Sequence, residues 1–299
     1  MRTIIICGAT ATGKSDLAVA LAQEIGAEIV NADSMQVYEG MDIGTAKLSM
    51  QGRGGVPHHL LDVLTVRQDS TVAWYQELAR SAIDEIHQRG KDAIIVGGTG
   101  LYIKAIVDDL NFPDTDPVIR SRLELEAIEK GSALLFARLE KLDPAAALAI
   151  DRANTRRIVR ALEVIEITGQ PFTANLPRQE SSRYPDAFHF GLSQDRESLD
   201  IRVSTRVDAM WDAGLVAEVE ALVVTGLREG VTAQKALGYA QVLQMMDGLL
   251  TSDQAREETK RVTRQYIRRQ DTWFSRDNRL HWLGHYENRL EKIMTRLNS

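Results

Sequence analysis

The sequence predicts an α/β protein: a P-loop three-layer fold with a mainly parallel sheet and an all-helical insertion domain. Three observations carry this. The glycine-rich run "GATATGKS" follows the apolar run "TIIIC" near the start of the chain. Strand-like and helix-like segments alternate after it. Six of the seven prolines fall from Pro113 to Pro185, where helical patterns occur without a convincing strand.

Residues 3–7 read as a short buried strand. Residues 16–25 read as a helix, with Leu17, Ala20, Leu21 and Ile25 in one apolar stripe. Between them, Gly8-x-x-x-x-Gly13-Lys14-Ser15 has the spacing of a phosphate-binding loop. A strand, a glycine turn and a helix N-terminus aim several backbone N–H groups at one point, and the helix dipole adds positive potential there. Gly8, Ala9, Thr10, Ala11, Thr12, Gly13, Lys14 and Ser15 are therefore the expected diphosphate or nucleotide site. Lys14 would reach phosphate oxygens, and the Ser15 hydroxyl would meet a Mg²⁺ ion.

Further strands are expected at residues 27–33, 58–64, 92–100 and 187–193, with a helix at 71–88. Ligands in such sheets sit beyond the carboxyl ends of the strands. That rule makes Asp33, Gly97 and Gly98 neighbours of the loop. Helical patterns at 118–130, 133–142 and 154–168 fill the proline-bounded stretch. The expected organisation is a first core part at 1–112, the helical insertion at 113–185, and a second core part at 186–299. That last part is mainly helical apart from a late strand-like "RLHWLG".

Composition narrows the function classes. The chain has 299 residues, 44% of them hydrophobic, and a net charge of −6. That charge argues against a uniform coat for nucleic acid but allows a local basic surface. The one cysteine, Cys7, excludes a disulfide framework and Cys/His zinc spacing. No apolar run approaches the ~18 residues of a membrane span. The N-terminus runs directly into the first strand, so a cytoplasmic chain with no membrane partner is expected.

A fuelled ATPase usually carries an acidic residue at the end of a second apolar strand. Here "AIIVGG" ends in two glycines, and the acid lies instead in "NADSMQVY", as Asp33. It could ligate metal, accept a proton from a nucleophile, or cap a turn. Two basic segments stand out. Residues 152–160 hold four arginines and no acid. Residues 256–279 hold eight basic residues against four acidic ones, with Lys260, Arg264 and Arg268 on one helix face and Tyr266, Trp273 and Phe274 nearby. Cations among aromatics suit single-stranded or loop RNA.

The chain resembles the tRNA dimethylallyltransferase (isopentenyl-tRNA transferase) family. The motifs are "GATATGKS", "NADSMQVYEGMDIGTAK", "PHHLLDV", "VGGTGLYIKA", "RRIVRALEV", "RVDAMWDAGLVAEV", "ALGYAQ" and "RQYIRRQDTWF", in order over nearly the whole chain. Ala9 departs from the proline usual in the family. The resemblance implies transfer of a dimethylallyl group from dimethylallyl diphosphate to N6 of adenosine 37 of tRNA. The loop would then hold the diphosphate of an isoprenoid, with Mg²⁺. It implies catalytic roles for Asp33, Thr10 and Arg206, with Asp33 taking the N6 proton and Arg206 reaching the diphosphate. Ser34, Met35 and Gln36 would hold the extruded base beside Asp33. Thr99, Arg120, Arg156, Arg157, Ile158, Val159 and Arg160 would touch tRNA, with the insertion gripping the anticodon stem-loop. A monomer is expected. A P-loop small-molecule or nucleoside kinase, and a nucleotide-switched nucleic-acid binder, are the competing readings.

Overall fold

A computed structural model describes residues 1–110, 112–175 and 182–299. Residues 176–181, with Pro177, belong to the expected insertion and lie outside the described residues. The chain divides into two compact units, Met1–Val107 with Tyr184–Ser299, and Asp108–Arg183.

In chain order the first unit begins with β1 (Thr3–Gly8), α1 (Lys14–Ile25), β2 (Glu28–Asn31), β3 (His58–His59), α2 (Val72–Gln88), β4 (Ala93–Gly97) and α3 (Gly100–Val107). The second unit holds α4 (Pro117–Lys130), α5 (Ser132–Leu142), α6 (Pro144–Ala149) and α7 (Thr155–Thr168). The first unit resumes with β5 (Phe188–Leu192), α8 (Arg196–Asp212), α9 (Leu215–Val224), α10 (Tyr239–Met246), α11 (Ser252–Phe274), β6 (His281–Leu283) and α12 (Arg289–Leu297).

The six strands form one sheet in the order β3-β2-β4-β1-β5-β6, and every pairing among them is parallel. The P-loop α/β fold expected from the sequence is the fold observed. Side chains alternate across β1: Ile4 and Ile6 pack with Leu21, Ala22 and Ile293 on one face, and Ile5 and Cys7 with Tyr75, Ile83 and Ile106 on the other. Helices thus cover both faces, as an all-parallel sheet requires. Ile4, Ile5 and Ile6 are wholly buried, and each contributes about 1.5–3 kcal/mol by leaving water. The register pairs Cys7 with Gly97, Gly8 with Leu192 and Asn31 with Val96. This lines up the carboxyl ends of four central strands on one edge.

Three strands end earlier than expected, β2 at Asn31 among them. The strand expected at 58–64 stops after His59, because Leu60 and Asp62 adopt φ of 64° and 55°. Tertiary contacts hold that turn: Asn31 Nδ2 donates to the Leu60 carbonyl at 3.0 Å, and Lys47 Nζ reaches Asp62 Oδ1 at 2.5 Å. The strand expected to reach Gly100 ends at Gly97, and a helix starts at Gly100. A Cβ at Gly97 would lie 2.1 Å from the Ala32 carbonyl oxygen, so the loops after β2 and β4 touch backbone to backbone.

Two prolines of the helical unit open helices. Pro117 and Pro144 sit in the first turns of α4 and α6, where a missing N–H costs nothing. Asp116, Asp143 and Asn154 cap α4, α6 and α7. Leu123, Leu135, Leu139, Ile158 and Leu162 form its core. Glu163, wholly buried, accepts hydrogen bonds from Arg120, Arg160 and the Asp116 N–H.

Candidate active site

The loop after β1 is shaped by contacts on its carbonyls. A Cβ at Gly8, where φ is 142°, would meet the Leu192 carbonyl oxygen at 2.6 Å, so only glycine fits. Thr12 Oγ1 and Lys14 Nζ both donate to the Ala9 carbonyl, at 2.9 and 2.6 Å. Arg289 Nη1 donates to the Thr12 carbonyl at 2.7 Å. The first-turn N–H groups of α1 have no intrahelical acceptor and remain available to an anion.

Two cavities meet at this end of the sheet. The larger, of about 550 Å³, is lined by Thr10, Ala11, Gly13, Lys14, Ser15 and Arg206 among others. The smaller, of about 280 Å³, is walled mainly by Met35, Val203, Val207, Met210, Leu237 and Tyr266. Thr10, Asp33, Thr45 and Arg206 line both. The first chamber holds the phosphate loop and Lys14, the second an aliphatic and aromatic wall edged by Lys235 and Arg269, and Asp33 lines both.

Burial pushes the Lys14 ammonium down to about 8; the Asp33 carboxylate opposes that shift and Arg206 adds to it. Burial also lowers the Arg206 guanidinium, again opposed by Asp33. Arg206 donates to Thr10 Oγ1 at 3.3 Å and to the Thr45 carbonyl at 3.4 Å. Among the described residues neither cation forms an ion pair. Such cations call for an anion from outside.

Asp33 lies two residues beyond β2 rather than at its last position. Its Oδ1 accepts the Met35 N–H at 2.9 Å, closing a local turn. The Ser34 N–H donates to Thr99 Oγ1 at 3.1 Å, and Gln36 Nε2 to the Thr45 carbonyl at 3.0 Å. Asp33, Ser34, Met35, Gln36 and Thr99 are thus one connected group beside the loop.

Sequence reasoning missed Gln270. It is 5% exposed, its Oε1 accepts the Thr10 N–H and its Nε2 donates to the Gly98 carbonyl, both at 2.9 Å. One amide on α11 thereby ties the phosphate loop to the turn before Thr99. Tyr266, four residues earlier on the same helix face, lines the smaller chamber; burial, with Asp33 adding to it, pushes its phenol up to about 12. The i, i+4 spacing of Tyr266 and Gln270 in "RQYIRRQ" was the available signal.

Part of the basic stripe on α11 is engaged within the fold: Lys260 is buried, Arg264 half-buried and Arg268 exposed. Lys260 is 9% exposed and pairs with Asp208 on α8 at 2.8 Å. Arg264 donates to Ser204 Oγ at 2.7 Å. Arg256 also pairs with Asp208, at 2.6 Å. These cations bind helix to helix. Arg268 and Arg269 remain exposed, and Arg269 sits 5.7 Å from the Tyr266 ring centroid.

In the helical unit, Arg156 and Arg157 are exposed, whereas Ile158 and Val159 are buried in the core. Arg120 and Arg160 converge on Glu163, and Arg160 also donates to the Pro113 carbonyl at 2.7 Å.

The profile of a family described as IPP transferase matches residues 36–277. A tRNA dimethylallyltransferase of Thermobifida fusca is 57% identical over 289 residues, covering 95% of this chain and 90% of that protein. The crystal structure of a tRNA isopentenylpyrophosphate transferase from Bacillus halodurans superposes with a TM-score of 0.73 at 36% identity, over 99% of this chain and 95% of that one. A eukaryotic dimethylallyltransferase captured acting on tRNA gives a TM-score of 0.83 at 25% identity, over 100% of this chain and 79% of that one. With a matching profile over most of its length and relatives this similar, the chain belongs to the IPP transferase family.

Proposed function

We propose that the chain transfers a dimethylallyl group from dimethylallyl diphosphate to N6 of adenosine 37, next to the anticodon of tRNA, and releases diphosphate. The observation that carries this reading is that the phosphate-loop chamber with Lys14 adjoins a chamber walled by Met35, Val203, Val207 and Met210, with Asp33 the one carboxylate lining both. A diphosphate ester with a short hydrocarbon tail has that polarity.

In the reaction the bond between the allylic carbon and the diphosphate oxygen breaks, and its electron pair goes to the diphosphate. N6 attacks the carbon, and Asp33 accepts the N6 proton. Lys14, Arg206, the Thr10 hydroxyl and the loop N–H groups strengthen their hold as charge grows on the leaving group, which is where binding accelerates a step. Met35, Val203, Val207 and Met210 enclose the tail and exclude water. Ser34, Gln36 and Thr99 hold the base, which must leave its stack to arrive there.

Among the described residues no group of three or more His, Cys, Asp or Glu is placed to hold a metal ion. Mg²⁺ is nevertheless compatible, because it keeps several waters and binds through few protein oxygens plus phosphate. The Ser15 hydroxyl would hold it, and it would supply charge neutralisation on the diphosphate.

The helical unit is proposed to grip the anticodon stem-loop through the turn of α7 that begins with the exposed Arg156 and Arg157. The expected working form is a cytoplasmic monomer, and no described helix is long and apolar enough to cross a membrane. Incubation with unmodified tRNA and isotope-labelled dimethylallyl diphosphate, followed by mass analysis of nucleosides, should place the label on adenosine. Consumption of ATP with a small acceptor, and no label in RNA, would favour a kinase instead.

A further inference from the structure

We propose that Glu218, which lines neither cavity, is a positioning residue for the site. It holds the 42–45 loop so that the Thr45 carbonyl orients Arg206 and Gln36. The proposal rests on the reading of Arg206 as a ligand of the diphosphate.

Glu218 projects from α9 onto three successive backbone N–H groups. Its Oε2 accepts those of Ile43 and Asp42 at 2.8 and 3.2 Å, and its Oε1 accepts that of Gly44 at 3.4 Å. Tyr239 OH donates to the same Oε1 at 2.5 Å. A carboxylate on several N–H donors makes short, strong bonds and fixes the segment it meets. The Tyr239 ring is wholly buried and leaves no room at Gly44, where a Cβ would lie 2.4 Å from Tyr239 Cε2. The other end of the loop is equally fixed. Thr45 Oγ1 donates to the Met41 carbonyl at 2.6 Å, and Lys47 Nζ donates to the Tyr38 carbonyl at 2.8 Å and Asp42 Oδ1 at 2.6 Å.

The purpose of this bracing is visible in what the loop presents. The Thr45 carbonyl accepts from Gln36 Nε2 and from Arg206 Nη2, one from the base-holding turn and one from the diphosphate side. Among the described residues, the other hydrogen bond of the Arg206 guanidinium goes to the Thr10 hydroxyl. Moving the carbonyl would let the guanidinium swing, and a cation aimed loosely neutralises less charge.

The test is a double-mutant cycle read by calorimetric titration of inorganic pyrophosphate into the purified full chain. Glu218→Ala should weaken pyrophosphate binding about tenfold and Glu218→Gln about threefold, since the amide keeps an acceptor but loses the charge. Arg206→Ala should cost more. In the Arg206→Ala background, Glu218→Ala should change affinity by less than about twofold, because the effect runs through Arg206. A residue that merely supports the fold would impose the same penalty in both backgrounds, and that result overturns the proposal. Wild-type affinity in both Glu218 variants overturns it too. If the alanine variant does not fold, the glutamine variant carries the cycle. If Arg206→Ala binds pyrophosphate as well as wild type, the route through Arg206 is refuted. None of these readouts depends on prenyl transfer, so failure of the labelled-tRNA experiment would be a separate result.

Discussion

The two ends of the sheet handle charge in opposite ways. At the amino ends of the strands, Glu28 is 5% exposed and takes His59, Arg89 and Lys91 at 2.7, 2.7 and 3.0 Å. Burial alone would raise its carboxyl; hydrogen bonds from Arg89, His59 and Lys91 outweigh that and hold it at about 2. At the carboxyl ends, Lys14 and Arg206 are given hydroxyl and carbonyl partners but no acid salt bridge among the described residues. The first arrangement satisfies itself and has nothing left for a ligand. The second is destabilised by its own burial until an anion arrives. Unpaired, partly buried cations, rather than charge as such, mark the functional end.

The sharpest break of this contrast is at Asp33, which lines both cavities and forms no salt bridge among the described residues. Asp33→Asn keeps shape but loses basicity, and single-turnover prenyl transfer should fall by a factor on the order of 10²–10⁴. Donor and tRNA affinity should change far less. Recovery of the rate at high Mg²⁺ would make it a metal ligand, and a near-wild-type rate throughout would make its turn-closing bond its whole role.

Lys14→Met tests the frustration itself. Transfer should lose about 2–4 kcal/mol of transition-state stabilisation while tRNA binding holds. Stability should move the other way. The folded value of about 8 lies below the ordinary 10.5, so the buried charge costs stability below about pH 8, and the cost fades between those two values. Removing it should raise unfolding free energy at neutral pH by about 1–3 kcal/mol. Denaturation of both proteins at pH 7 checks this, and a less stable variant would show that the ammonium is content where it is.

Replacing Arg156 and Arg157 together by alanine should shallow the slope of log tRNA affinity against log salt by about 1–2 units, one counterion per lost phosphate contact. An unchanged slope would place them away from RNA.

The smallest effect on activity belongs to Glu28→Gln, which should leave transfer near wild type. Because the folded value lies below the ordinary 4.5, its stabilisation is complete above about pH 4.5 and is lost as pH falls toward 2. The variant should lack that acid-dependent part, about 1–3 kcal/mol after allowing for its partly exposed partners. Acid titrations of stability that coincide for the two proteins would refute the contrast at this end.

What was legible in the sequence was local. The strand, glycine turn and helix at the phosphate loop are set by neighbours within a dozen positions, and the alternation around them gave the fold class. What was hidden depends on distant contacts. Leu60 turns where periodicity suggested a strand, because the Asn31 amide pulls on its carbonyl. Gln270 looks like any polar residue on a helix until it meets Thr10. The α11 stripe of Lys260 and Arg264 has the spacing of an RNA-binding face, but α8 supplies the opposing Asp208 and Ser204, and no periodicity on one helix reveals its neighbour.

The unpaired cations also govern how a catalytic cycle ends. Donor and leaving group carry the same diphosphate, and the freed one has shed its hydrocarbon tail and gained a charged oxygen. A pocket whose Lys14 and Arg206 form no ion pair among the described residues is expected to hold such a product at least as firmly as the molecule it came from. Under the proposed reaction, pyrophosphate is expected to inhibit the enzyme and its departure to slow turnover. Continuous hydrolysis of pyrophosphate by another enzyme would then act as an accelerator without ever touching this one.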